Sequence, residues 1–131
     1  MINPNNLYIL IAEDDEDDAI VIENCFIESK YFNKISMVKN GQELLDFLEN
    51  NDKPDVILTD INMPIVDGIE ALKIILSSNR SEIPCFVYST SINPIYEEQC
   101  KKLGVKGYLV KPYSLEEFDA IPEAIIATLT R

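Results

Sequence analysis

Histidine is absent from this chain, and several other residue types are scarce. The 131 residues include no His, no Trp, three Cys and four Gly. Without histidine the chain cannot form a Ser-His or Cys-His catalytic pair and lacks the ligand used by most zinc sites. The cysteines Cys25, Cys85 and Cys100 are odd in number, widely spaced and without a CxxC motif. We therefore expect reduced and mostly buried thiols.

Basic residues are also few. Eleven Lys and Arg stand against 23 Asp and Glu, for a formal net charge of -12. This balance disfavours DNA or RNA as a partner, because binding to phosphates needs clustered Lys and Arg. No apolar run approaches the ~20 residues that span a bilayer, and the polar start of the chain lacks the basic region of a signal peptide. We predict a cytoplasmic protein without a membrane or nucleic-acid partner, formed as one domain over residues 1–131.

Apolar runs and helical periodicity alternate along the whole chain. Strands are predicted at 7–12, 34–38, 55–59, 84–89 and 107–110, and helices at about 17–30, 41–50, 68–78, 93–103 and from 114 onward. Strands that are apolar throughout indicate a parallel sheet with helices on both faces. We predict a three-layer, doubly wound α/β domain of the flavodoxin-like kind, with strand order 2-1-3-4-5. Pro122 lies inside the last predicted helix and indicates either a kink or a helix that begins near it.

Functional groups follow the carboxyl ends of four of these strands. Glu13 and Asp14 follow the first strand, Asp60 follows the third, Ser89 ends the fourth and Lys111 follows the fifth. The first and third strands are neighbours in the predicted order, so the three acids should converge. Carboxylates packed together take up protons or hold a cation, and oxygen ligands without His or Cys favour Mg²⁺ or Mn²⁺.

Six consecutive acids, 13–18, leave the pairing of these ligands open. Glu13-Asp14 and Asp14-Asp15 are both candidate acid pairs, and we prefer the first because it directly follows the apolar run. Asp15 would then cap the first helix. Asp17 and Asp18 are interpreted as a solvated helix start, where acids suit the positive end of the helix dipole.

A cation and a lysine around one carboxylate suit phosphoryl transfer. The transition state spreads negative charge over three oxygens, which a metal ion, the Lys111 ammonium and the Ser89 hydroxyl could each stabilise. Asp60 would be the nucleophile and would form an aspartyl phosphate.

Four motifs resemble those of a response-regulator receiver domain, the phosphoacceptor module of two-component signalling. They are E-D-D at 13–15, D-I-N-M-P-I-V-D-G at 60–68, Y-S-T-S at 88–91 and G-Y-L-V-K-P at 107–112. The resemblance covers essentially the whole chain. The chemotaxis response regulator is the best-known stand-alone member of this family. It implies that Asp60 is the phosphorylated residue and Lys111 the lysine of the site.

The resemblance also assigns the remaining site residues. It implies metal ligation by Glu13, Asp14, Asp60 and the backbone carbonyl of Asn62, and a cis Lys111–Pro112 peptide bond. Ser89 and Tyr108 correspond to the two switch residues, and Asn62 and Ser91 to positions that tune phosphate hydrolysis. The responsive surface would comprise the fourth helix, fifth strand and fifth helix. Its side chains include Tyr96, Glu97, Glu98, Lys101, Lys102, Tyr108 and Tyr113.

The function implied is that of a stand-alone response regulator with no output domain. A sensor histidine kinase, hybrid or phytochrome-type among the candidates, would donate the phosphoryl group. A downstream protein or a phosphotransfer protein would receive the signal. The protein would not be an enzyme beyond self-catalysed phosphotransfer and autodephosphorylation.

Three other interpretations compete with this one. A phosphatase of the haloacid-dehalogenase type needs a second Asp where Asn62 stands. A flavodoxin-type cofactor binder needs a loop rich in Gly, Ser and Thr after the first strand, where six acids occur instead. A receiver-like binding module that is never phosphorylated is the main alternative, although all the key residues are present.

Overall fold

Five strands and six helices alternate through residues 6–90 and 93–130, the part of the chain that the computed structural model describes. The strands are β1 (Leu7–Ala12), β2 (Phe32–Val38), β3 (Val56–Asp60), β4 (Cys85–Ser89) and β5 (Gly107–Val110). The helices are α1 (Glu16–Glu28), α2 (Gly41–Asn50), α3 (Gly68–Leu76), α4 (Pro94–Leu103), α5 (Leu115–Phe118) and α6 (Ala120–Leu129). The predicted elements are therefore confirmed, with boundaries that differ by one or two residues at most ends.

The strands form one parallel sheet in the order β2-β1-β3-β4-β5. Every residue of β1, β3 and β4 is buried, which explains why these strands are apolar almost throughout. The predicted strand order is confirmed. Because β1 and β3 are neighbours, the residues that follow them meet at the carboxyl edge of the sheet.

Helices cover both faces of the sheet and divide the core into two clusters. On one face, α2, α3 and α4 contribute Leu44, Leu72 and Cys100 to a cluster with alternate strand residues such as Leu10. On the other face, α1, α5 and α6 pack against the remaining strand residues. Buried residues of this second cluster include Ile9, Phe26, Leu58, Phe86, Tyr88, Phe118 and Ile125.

Side chains cap the starts of α1 to α5, including the predicted cap Asp15. The N-caps Asp15, Asn40, Asp67, Asn93 and Ser114 each accept a hydrogen bond from a backbone N–H of the following helical turn. Gly104 ends α4 with a φ of 91°.

The last predicted helix is divided before Pro122. The helix α5 ends at Phe118, and α6 begins at Ala120, which places Pro122 in the first turn of α6. Pro122 has no N–H to donate to the carbonyl of Phe118, four residues earlier, so the helical hydrogen bonding is interrupted there. This confirms the second of the two predicted outcomes.

None of the helices within the described residues is long and apolar enough to cross a membrane. The three cysteines are free and buried, as expected from their spacing.

Candidate phosphoacceptor and metal site

Asp60 is the last residue of β3 and lies 7% exposed at the carboxyl edge of the sheet. One carboxylate oxygen, Oδ1, accepts a hydrogen bond from the N–H of Ile61 at 2.7 Å. The N–H of Gly68 donates to the carbonyl of Ile61 at 2.8 Å, which closes the loop 61–67 behind Asp60. A Cβ at Gly68 would lie 2.0 Å from the carbonyl oxygen of Asp60, so only glycine permits this approach.

Three carboxylates meet beside this residue. Glu13, Asp14 and Asp60 each offer an oxygen, and these oxygens lie within 4.8 Å of one another. Asp15 faces away, because its Oδ1 accepts the N–H of Asp18 at 2.9 Å as the cap of α1. Of the two acid pairs left open by the sequence, the structure therefore brings Glu13 and Asp14 together with Asp60.

Lys111 lies at the centre of the acidic site and is 6% exposed. Its Nζ is 2.7 Å from Glu13 Oε1, 2.9 Å from Asp60 Oδ2 and 3.2 Å from Asp18 Oδ2. With Asp14, four carboxylates share a single ammonium group. Ionised together they leave an excess of negative charge, which a divalent cation bound by oxygen ligands would neutralise. The donor set therefore fits Mg²⁺.

Burial and neighbouring charges raise the pKa values of Asp60, Lys111 and Asp14. Burial raises the pKa of Asp60 to about 6, although the Lys111 ammonium opposes this shift. Burial also opposes the charge of Lys111, but its hydrogen bonds to Glu13 and Asp60 outweigh that effect and hold the ammonium pKa above its ordinary value. The pKa of Asp14 is raised chiefly because its carboxylate is partly desolvated, even though the residue as a whole is exposed.

Two predictions about this site are wrong. Asp18 is not simply solvated: α1 turns its half-buried carboxylate toward Lys111. No peptide bond in the described residues is cis, so Lys111–Pro112 is trans. Trans is the intrinsically favoured isomer of an X-Pro bond, and here it is compatible with all three ionic contacts of Lys111.

The remaining predicted residues lie around the acidic site. Ser89 is buried at the end of β4, and its carbonyl accepts the N–H of Lys111 at 2.6 Å. Tyr108 is half-buried on β5 and packs against the core on the α4 side. Asn62 is exposed two residues beyond Asp60, and its role as a carbonyl ligand stays a prediction. Ser91 falls outside the described residues.

Tyr88 is a site residue that the sequence reasoning missed. Its hydroxyl donates to Glu13 Oε1 at 2.5 Å, and its ring centroid lies 4.8 Å from Lys111 Nζ. A usable signal was present, because strand alternation places Tyr88 on the same sheet face as Asp60, directly opposite it in the register. A hydroxyl at such a position in a buried strand needs a polar partner.

The family comparison identifies the domain. Residues 9–122 match the model of the response regulator receiver domain. The chain belongs to this family. It is 31% identical over 123 residues to the probable methanogenesis regulatory protein FilR2 of Methanothrix harundinacea (strain 6Ac). This match covers 89% of this chain and 79% of that protein. The receiver spans only 26% or less of several other curated relatives.

Solved structures support the same assignment. The phosphorylated cyanobacterial phytochrome response regulator RcpA matches with a TM-score of 0.85 and 31% identity, covering 92% of this chain and 91% of that one. The Mn²⁺-bound form of response regulator Rcp1 matches with a TM-score of 0.83 and 27% identity over 93% of both chains. Receiver domains bind Mg²⁺ at an acidic pocket, and the carboxylate cluster of this receiver fits such a pocket.

Proposed function

We propose that this receiver is a response regulator in which Asp60 accepts a phosphoryl group from a sensor histidine kinase. The observation that carries the proposal is the position of Asp60. It lies at the carboxyl end of β3, 2.9 Å from the Lys111 ammonium and within the cluster formed with Glu13 and Asp14. This arrangement combines a nucleophile, a fixed cation and a set of metal ligands around one reacting centre.

The chemical step is a displacement at phosphorus. A carboxylate oxygen of Asp60 forms the new O–P bond while the P–N bond of the donor phosphohistidine breaks. The leaving imidazole keeps the electron pair of that bond and takes up a proton. Lys111 and the Ser89 hydroxyl stabilise the charge on the phosphoryl oxygens. Mg²⁺ held by Glu13, Asp14, Asp60 and the Asn62 carbonyl would add neutralising charge at the same oxygens.

Phosphorylation then biases a two-state surface. We expect Ser89 to move toward the new phosphate and Tyr108 to turn into the space released, which alters the surface of α4, β5 and α5. A downstream protein or a phosphotransfer protein would read this surface. Histidine kinases supply phosphate to receiver domains, and the likeness to RcpA adds a phytochrome-type kinase to the candidate donors.

The same proposal covers the setting of the protein. Residues 1–131 act as one receiver domain without catalysis beyond the turnover of its own phosphate. The free, buried thiols agree with a reducing compartment such as the cytoplasm.

The deciding experiment is the intact mass of the protein after incubation with acetyl phosphate and Mg²⁺. We expect the gain of one phosphoryl group, lost when Mg²⁺ is omitted and absent in Asp60→Asn. A wild-type chain that binds Mg²⁺ and accepts phosphate only from a kinase would show that a histidine kinase, and not acetyl phosphate, is the phosphoryl donor. A chain that neither binds Mg²⁺ nor gains mass with any donor would support the alternative, a receiver-like binding module that is never phosphorylated.

A further inference from the structure

The hydroxyl of Tyr88 contacts the acidic site at one buried atom, Oε1 of Glu13. Tyr88 is fully buried in β4 and donates to Glu13 Oε1 at 2.5 Å. The same oxygen lies 2.7 Å from Lys111 Nζ. The other oxygen of Glu13, Oε2, accepts the N–H of Asp15 at 3.1 Å. Glu13 is only 1% exposed, so these three donors replace the water that a carboxylate would otherwise require.

Phosphorylation changes the demands on Lys111. In the present structure Lys111 divides its ammonium among Glu13, Asp60 and Asp18. A phosphoryl group on Asp60, as in the proposed function on which this inference rests, adds oxygens that compete for the same ammonium. When Lys111 turns toward them, the Oε1 atom of Glu13 loses its ammonium donor while it stays buried, whether or not the carboxylate also ligates Mg²⁺. A buried carboxylate oxygen without a strong donor is unfavourable, so the loss of this contact would oppose the movement of Lys111 toward the phosphoryl group.

We propose that Tyr88 is a positioning residue that holds Glu13 through its hydroxyl and so releases Lys111 to the phosphoryl group. The strand register supports this role, because Tyr88 pairs with Asp60 across β3 and β4 and shares its sheet face. The ring of Tyr88 also contacts Lys111 directly, since its centroid is 4.8 Å from Nζ. Tyr88 thus touches both partners whose interaction must change.

The substitution Tyr88→Phe isolates the hydroxyl. Phenylalanine keeps the ring in the core and beneath Lys111 but cannot donate to Glu13. Its matched control is Tyr31→Phe, which removes a hydroxyl that donates to the exposed carboxylate of Glu123, away from the site. At saturating Mg²⁺, we expect Tyr88→Phe to lower the maximal rate of phosphorylation by acetyl phosphate about tenfold, the effect of losing one hydrogen bond to a charged group. Tyr31→Phe should react at the wild-type rate.

A double-mutant cycle separates positioning from a general structural role. If Tyr88 acts through Glu13, Tyr88→Phe should cause little further loss in the Glu13→Ala background, in which no side-chain acceptor remains for the hydroxyl. An equal loss in both backgrounds would overturn the proposal, as would a wild-type rate in Tyr88→Phe. If wild type itself gains no phosphate, the proposed function fails and this inference fails with it. Phosphorylated wild type with an unaffected Tyr88→Phe variant overturns this inference alone.

Proton NMR gives a readout that does not depend on turnover. A hydroxyl proton shared with a buried carboxylate should give a downfield, slowly exchanging resonance, absent in Tyr88→Phe and shifted in Glu13→Gln. The proposal requires the resonance to persist when beryllofluoride, a phosphoryl analogue, occupies Asp60. Its disappearance on beryllofluoride binding would show that Tyr88 leaves Glu13 together with Lys111, and would overturn the proposal.

Discussion

The fold changes the protonation behaviour of individual residues in the acidic site. Asp60 is the main example, since burial raises its pKa to about 6 from an ordinary value of 3.8. Between these values the folded chain binds more protons than the unfolded chain, so the contribution of Asp60 to stability falls as the pH rises through this window. Without a bound cation, ionised Asp60 therefore destabilises the fold at neutral pH.

Asp60→Asn should accordingly stabilise the metal-free protein. At pH 7.5 in a chelator, we expect its free energy of unfolding to exceed that of wild type by about 1–2 kcal/mol, since the loss of the ion pair with Lys111 offsets part of the gain. The gain should shrink as the pH falls below about 6, where the folded wild-type carboxyl takes up its proton, and should be lost below 3.8, where the carboxyl is protonated in both states. Urea unfolding across this pH range measures it, and a gain that grows toward low pH would contradict the explanation.

Ile65 carries backbone strain in the loop that follows Asp60. It has a φ of 70°, in the left-handed region that β-branched residues avoid, and it is 79% exposed. We expect Ile65→Asn to raise the free energy of unfolding by about 1 kcal/mol, because Asn tolerates this conformation and little apolar burial is lost. Ile95→Asn, at an exposed position without positive φ, is the control and should show no such gain.

At the scale of elements, the close approach of α3 to β3 positions the acidic site. Gly68→Ala would place a Cβ 2.0 Å from the Asp60 carbonyl oxygen, so the start of α3 or the end of β3 must shift. We expect a loss of roughly 1–3 kcal/mol in stability together with weaker Mg²⁺ binding by calorimetry. Gly104→Ala is the matched control, because its Cβ meets nothing within 4 Å and only its φ of 91° is unfavourable.

The two variants should therefore differ in more than stability. Gly104→Ala should lose about 1 kcal/mol through its left-handed backbone and keep the Mg²⁺ affinity of wild type. Equal effects of both substitutions on Mg²⁺ binding would show that the Gly68 contact does not position the site.

At the scale of the whole molecule, charge repulsion is the dominant global feature. The net charge is -12 and the isoelectric point is about 4.3. Repulsion among the excess acids destabilises the compact state at neutral pH, and salt screens it. Raising KCl from about 20 to about 200 mM at pH 7.5, over which the Debye length falls severalfold, should raise the midpoint of thermal unfolding. The increase should be much smaller near the isoelectric point, and an equal increase there would point to a cause other than net charge.

Much of this protein could be predicted from local sequence alone. The strands, the N-cap at Asp15 and the break before Pro122 depend on periodicity, a capping side chain and the missing proline N–H, which act over a few residues. The convergence of Glu13, Asp14 and Asp60 could also be predicted, because parallel strand order places the ends of β1 and β3 together.

Only the tertiary structure decided which further side chains contact these acids inside the site. The hydroxyl of Tyr88 reaches Glu13 across 75 positions of the chain, and Lys111 reaches Asp18 across 93. Such contacts depend on strand register, the rotation of α1 and the charge available in a buried volume, none of which a local pattern encodes.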